Sequence, residues 1–129
     1  VNRTIEDYFD LVETSLVESA AVQSFQILRR EISFADGKFR LKAVFADGSL
    51  IEMFEYIVLQ NRQISIQKYS FHWQASDGTL ISRWDNAPHH LSLPNAPHHC
   101  HHADGSVSAV KNLPDFLSIL ALIEDKILK

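Results

Sequence analysis

Apolar side chains recur every three or four residues at the start of this chain and every second residue through its middle. Ile5, Tyr8, Phe9, Val12 and Leu16 line one side of an α-helix. Thr4 stands as its N-cap, and Glu6 and Asp7 follow where the helix dipole favours negative charge. Glu6, Asp10, Glu13 and Glu18 occupy the other side, so the pattern predicts an amphipathic helix laid across a sheet. From Phe25 to Asp85 the period is two. Phe39, Leu41, Ala43 and Phe45 alternate with Lys38, Arg40, Lys42 and Val44, and Tyr69, Phe71 and Trp73 alternate with Lys68, Ser70, His72 and Gln74.

Strands are expected over 24–34, 38–46, 49–60, 63–75 and 79–85. Asp36-Gly37, Asp47-Gly48 and Asp77-Gly78 separate strand-like runs and predict type I′ hairpins, with Asn61-Arg62 at a fourth boundary. Short connections in succession leave little but an antiparallel meander. The stretch from Leu50 to Leu59 is apolar on both faces except for Glu52 and Glu55. It is expected to be central, with its second side under helices or a partner. Asn112-Leu113-Pro114-Asp115 reads as a capped helix start with Asn112 as N-cap, and Phe116, Leu117, Leu120, Ile123 and Ile127 follow at helical spacing. The expected fold is one α+β domain over residues 1–129. It is a five-stranded antiparallel meander with an N-terminal and a C-terminal helix packed on one face, and a His/Pro-rich loop over 86–110 between the last strand and the last helix.

Composition narrows the setting. Of 129 residues, 46% are hydrophobic and 22% charged, enough to bury a core. No apolar run approaches the ~20 residues of a membrane span. Residues 1–20 carry several acids and no basic leader-type segment, so no secretory signal is expected. The single cysteine, Cys100, excludes an internal disulfide framework and fits a reducing cytoplasm. A net charge of −4 argues against broad attraction to nucleic acid but leaves room for a local basic face. Arg29, Arg30, Lys38, Arg40 and Lys42 cluster on the first hairpin, where they are read as a solvated face.

The chemistry concentrates between Arg83 and His102. Six of the seven histidines fall there, the pentad Asn-Ala-Pro-His-His occurs at Asn86 and again at Asn95, and Pro88, Pro94 and Pro97 exclude a helix interior or central strand. In extended backbone His99 and His101 point together, and so do His98, Cys100 and His102. Three readings follow. The histidines are structural, bonded to backbone carbonyls. Or they bind a divalent transition metal such as zinc, nickel, copper or manganese. Or they run metal-free acid–base catalysis on a phosphodiester, one imidazole taking a proton from a ribose 2′-hydroxyl and another protonating the leaving oxygen, with Arg83 neutralising the phosphate. Adjacent histidines point apart, so convergence on a metal demands a special backbone, which favours the metal-free form. Asp85 either orients an imidazole or accepts the bond of a turn at Asn86. His72, on a strand face with Ser70 and Lys68, ranks lower.

The run Tyr69-Ser70-Phe71-His72-Trp73-Gln74, then Asp77-Gly78, then Arg83 to His90, then Pro97 to His101, resembles the TumE family of prokaryotic toxins. The resemblance is carried by residues 63–102. It implies the toxin half of a type II toxin–antitoxin pair, with a helix-turn-helix antitoxin encoded by a neighbouring gene. His89, His90, His98, His99 and His101 match the family's histidines, and Arg83, Asp85 and Asn86 its polar positions. Cys100 stands where a basic residue is common, and His102 where an apolar one is. The expected function is therefore a cytoplasmic toxin that cleaves RNA, with Arg83, Asp85, His89, His90, His98, His99 and His101 as its site and no cofactor required. The competing reading is a metal-binding or interaction module whose histidine loop is structural. A homodimer or the antitoxin is expected to cover some of Leu50, Phe54, Tyr56 and Val58.

Overall fold

A computed structural model describes residues 4–129. Helix α1 (Ile5–Glu18) leads into β1 (Val22–Ile32), β2 (Asp36–Phe45), β3 (Leu50–Gln60), β4 (Gln63–Gln74) and β5 (Leu80–Asp85). Two short strands follow, β6 (His99–His102) and β7 (Val107–Ala109), and helix α2 (Phe116–Leu128) ends the chain. All strands form one antiparallel sheet whose spatial order is the chain order, β1 to β7. The fold is the expected α+β meander, but the sheet has seven strands rather than five.

The two extra strands lie inside the segment read as a single loop. Only residues 86–98 connect β5 to β6, and β6 and β7 form a hairpin closed by Ala103-Asp104-Gly105-Ser106. The same four residues close the β2–β3 hairpin at 46–49. In both, and at Ser76-Asp77-Gly78-Thr79, the carbonyl of the fourth residue accepts the N–H of the residue before the first, so the loop proper has three residues rather than two. Gly48, Gly78 and Gly105 take φ of 87°, 90° and 87°, while their aspartates do not turn left-handed. Each aspartate instead accepts the N–H two residues on, at 2.9, 3.0 and 2.8 Å. This is a three-residue loop with glycine at the left-handed position, not the expected type I′ turn. The two-residue turn is at Asn61-Arg62, with φ of 51° and 61°. Asp36-Gly37 is no turn at all, because Gly37 pairs with Ile32 inside the sheet. A Cβ there would lie 2.6 Å from Ile5 Cγ2, so glycine lets α1 approach.

Both helices pack on one face. Ile5, Tyr8, Phe9, Val12 and Leu16 of α1 are buried as their spacing predicts, and Thr4 Oγ1 caps the helix by accepting the Asp7 N–H at 3.0 Å. They meet Phe39, Leu41, Ile51, Met53, Ile57 and Phe71 from the sheet, together with Phe116, Ile119, Leu120 and Ile123 of α2. The N-cap of α2 is Asp115, in a capping box with Ser118, rather than Asn112. Arg30 points to this same face, paired with Asp10 and Glu13 of α1 and set over the Phe9 ring.

One charged group is enclosed in that core. Glu55 of β3 is fully buried, accepting from Tyr8 Oη at 2.7 Å and from the Phe116 N–H at 3.1 Å. Burial pushes its carboxyl up to about 7, against the lowering effect of those two hydrogen bonds. Glu55 ties β3 to both helices.

Among the described residues, no helix covers the other face of the sheet. Register places Arg29, Arg40, Phe54, Ser70, Asp85 and His99 in one row across it, and Lys42, Glu52, His72, Arg83 and His101 in the next. Leu50, Phe54, Tyr56 and Val58, expected under a partner, are half-buried here. Cations from β2 lie over two of them: the Arg40 guanidinium is 4.7 Å from the Phe54 ring and the Lys38 ammonium 5.9 Å from the Tyr56 ring.

Candidate active site

The end of this open face is built from β5 and β6. Their antiparallel pairing sets Asp85 opposite His99 and Arg83 opposite His101, so four of the candidate side chains share one face by register alone. The Asp85 carboxylate lies at their centre and is only 6% exposed. Its Oδ1 accepts the Ala87 N–H at 3.0 Å and lies 3.0 Å from His99 Nε2. Its Oδ2 accepts from Arg83 Nε at 3.1 Å and lies 3.7 Å from His101 Nε2. Asp85 thus both orients an imidazole and anchors the turn at Asn86. Arg83 extends one NH group to 3.3 Å from His72 Nδ1 on β4.

The repeated pentads hold the connecting loop in place. Asn86 donates to the Gln67 carbonyl at 3.0 Å and accepts the Tyr69 N–H at 3.1 Å. Asn95 donates to the carbonyls of Val110 and Lys111 at 2.8 and 3.2 Å. Between these anchors His90 takes φ of 56°, a left-handed conformation that costs a non-glycine residue about 1 kcal/mol. The turn brings its ring centroid to 5.1 Å from that of His99 and 5.7 Å from that of His101. His99 and His101 are themselves 4.8 Å apart, edge to face. Ring nitrogens of these three residues all lie within 4.8 Å of one another.

A cleft of about 640 Å³ runs from this cluster across the open face. Its walls carry Arg29, Arg40, Lys68 and Arg83 against the acids Glu52 and Asp85, together with His72, His89 and His101. The lining is therefore cationic by two charges in a chain whose net charge is −4. Arg29 is shared with Glu31 at 2.9 Å, whereas Arg40 and Lys68 have no carboxylate within ion-pair distance among the described residues. Partial burial holds the His101 imidazole below its ordinary value, opposed by Asp85 and reinforced by His99, His90 and Arg83.

The structure brings Arg83, Asp85, His89, His90, His99 and His101 to one place, and sets His98 apart. His98 turns to the helix side, stacked on Tyr69 with its Nδ1 2.9 Å from the phenol oxygen. Burial lowers the His98 imidazole and raises the Tyr69 hydroxyl. Cys100 and His102 also point away from the cleft. The Cys100 thiol is pushed up by burial, as expected of a structural cysteine, and His102 bonds Ser108 Oγ at 2.6 Å across its hairpin. Reading by residue type undervalued His72, Arg29, Arg40 and Lys68. Their signal was the phase of strand alternation, which puts all four on the face of Arg83 and Asp85 once the register is known.

A family model described as Toxin TumE matches residues 9–127, and the chain belongs to the TumE toxin family. Membership in a family of toxins implies an antitoxin partner. No curated protein and no solved structure matches the chain. Among the described residues, no helix is long and apolar enough to cross a membrane.

Proposed function

We propose that this toxin is a ribonuclease that holds RNA in the open-face cleft and cleaves it at the histidine end. The observation that carries the reading is the sorting of charge: an acidic chain places Arg29, Arg40, Lys68 and Arg83 along one groove that ends in imidazoles. Phosphates bind the cations along the groove. Cleavage requires a proton taken from the attacking 2′-hydroxyl, a proton given to the leaving oxygen, and stabilised charge on the phosphate. His72, His89 and His101 present imidazoles to the groove, Arg83 presents the guanidinium, and Asp85 fixes His99 and Arg83 from behind. The toxin acts in the cytoplasm, and its partner is a helix-turn-helix antitoxin encoded beside it.

The test is incubation of the purified chain with a defined single-stranded RNA, followed by analysis of the products. Discrete cleavage by the wild type, lost in His89→Ala at unchanged melting temperature, is the expected result. His89 is exposed, so its removal leaves the core intact. A folded wild-type protein that leaves RNA whole overturns the proposal.

A further inference from the structure

The geometry points to a binding site for a divalent transition metal formed by His90, His99 and His101, with Asp85 as the adjoining anion. The inference deepens the reading above: it makes His101 a ligand and leaves His72 and His89 as the free imidazoles of the cleft. Three features of the chain carry it.

The first is convergence. Nitrogens within 4.8 Å of one another need move inward by only about 1 Å each to reach the ~2.0–2.1 Å of a zinc–imidazole bond. His99 and His101 are held by strand register, while His90 is exposed and its side chain is free to adjust. The second is the orientation of His99. Its Nδ1 donates to the Pro97 carbonyl at 2.8 Å, so in the neutral ring Nε2 presents a lone pair towards Asp85 Oδ1, 3.0 Å away. Two electron-rich atoms at that separation require a positive charge beside them, either a proton or a metal ion. A backbone carbonyl on the far nitrogen is the usual support of a metal-binding histidine. The third is the His90 backbone. Neighbouring histidines in extended chain diverge, and the left-handed turn at His90 is the departure that lets its ring join a pair from another strand. A position that costs energy and serves to gather imidazoles is a functional feature.

The donor set selects the metal class. Three imidazoles and a neighbouring carboxylate suit Zn²⁺, Ni²⁺ or Cu²⁺ and give hard Mg²⁺ or Ca²⁺ too few oxygens. Three protein nitrogens also leave an open position of the kind catalytic zinc keeps. His101 lines the cleft, so that position adjoins the place where a phosphate would lie. Binding replaces any proton on His99 Nε2, which leaves to solvent.

The test is titration of the chelator-stripped full chain with zinc chloride, read by calorimetry and by metal content after dialysis. One ion per chain is expected. His90→Ala and His101→Ala each lower the affinity ~100-fold or more, and Asp85→Asn lowers it ~10–100-fold as an outer partner does. His102→Ala, on the other face, leaves it unchanged. Because His90 is exposed, loss of binding in that variant at an unchanged melting temperature reports the site rather than the fold. Absence of stoichiometric zinc, or equal binding by wild type and His90→Ala, overturns the inference. RNA cleavage plays no part in this readout, so one proposal can fail while the other stands.

Discussion

Two carboxylates are almost fully enclosed on opposite faces of the same sheet, and their surroundings could hardly differ more. Glu55, on the helix face, has neutral, fixed donors: the Tyr8 hydroxyl and the first backbone N–H of α2. Asp85, on the open face, has a guanidinium and an imidazole as partners, a second imidazole close by, and one backbone N–H. Burying a charge is costly unless it is paired, and the two sites meet that cost differently. Glu55 is raised towards its neutral form and serves as a clamp between layers. Asp85 gathers groups that carry charge and protons at the end of a cationic cleft. A buried acid among fixed neutral donors belongs to architecture, and one among titratable side chains in a cleft is positioned for chemistry.

The largest effects should separate the two faces. Removal of the His89 imidazole is expected to lower RNA cleavage by ~10²–10⁴-fold, the range for loss of a proton-transfer group, with no change in melting temperature. Glu55→Ala should do the reverse. It strands the Tyr8 hydroxyl and the Phe116 N–H in the core and is expected to cost about 3 kcal/mol in denaturant unfolding.

Next in size is the pH dependence that Glu55 contributes. Its carboxyl titrates at about 7 in the folded protein and at the ordinary 4.5 when unfolded. Below the unfolded value both states are protonated and no penalty exists. Between about 4.5 and 7 the unfolded state ionises first and stability falls, levelling off above the folded value. The full loss is about 3 kcal/mol. Glu55→Gln removes the titration while its amide serves both Tyr8 and Phe116. The difference between wild-type and Glu55→Gln unfolding curves from pH 4 to 8 measures it, and parallel curves would remove Glu55 as the cause.

How far these features were legible in the sequence follows from which interactions encode them. Helix α1 and its Thr4 cap were readable because periodicity and capping are local. The face shared by His99 and His101 was readable from alternation. Strands β6 and β7 were not, since His99 to His102 show no apolar alternation and β7 spans only Val107–Ala109. The signal that did exist was Asp104-Gly105, within the same Ala-Asp-Gly-Ser that closes an earlier hairpin. The shift of the α2 cap from Asn112 to Asp115 is a choice between two good capping residues, decided by the docking of Phe116 against Phe71 and Glu55. The cleft depends on strand register over β1 to β5, and neither the bulges between Ile27 and Arg29 and between Tyr56 and Ile57 nor the resulting rows can be read from composition.

Smaller effects sharpen the contrast. Gly37→Ala places a methyl against Ile5 and is expected to cost ~1–3 kcal/mol through overpacking of α1, leaving the cleft chemistry untouched. Its check is a lowered denaturant midpoint with an unchanged cleavage rate under folding conditions. On the open face, Arg40→Ala and Lys68→Ala should each weaken RNA binding modestly. Each should also flatten the dependence of log affinity on log salt by ~0.7, as expected when one phosphate contact to a single strand is lost.

The most direct test of the account is a paired measurement on His89→Ala and Glu55→Gln: cleavage rate on a single-stranded RNA and melting temperature, both at pH 7. The account predicts that His89→Ala melts with the wild type and does not cleave, while Glu55→Gln cleaves at the wild-type rate. Cleavage retained in His89→Ala together with cleavage lost in a folded Glu55→Gln would place the chemistry on the wrong face of the sheet and contradict it.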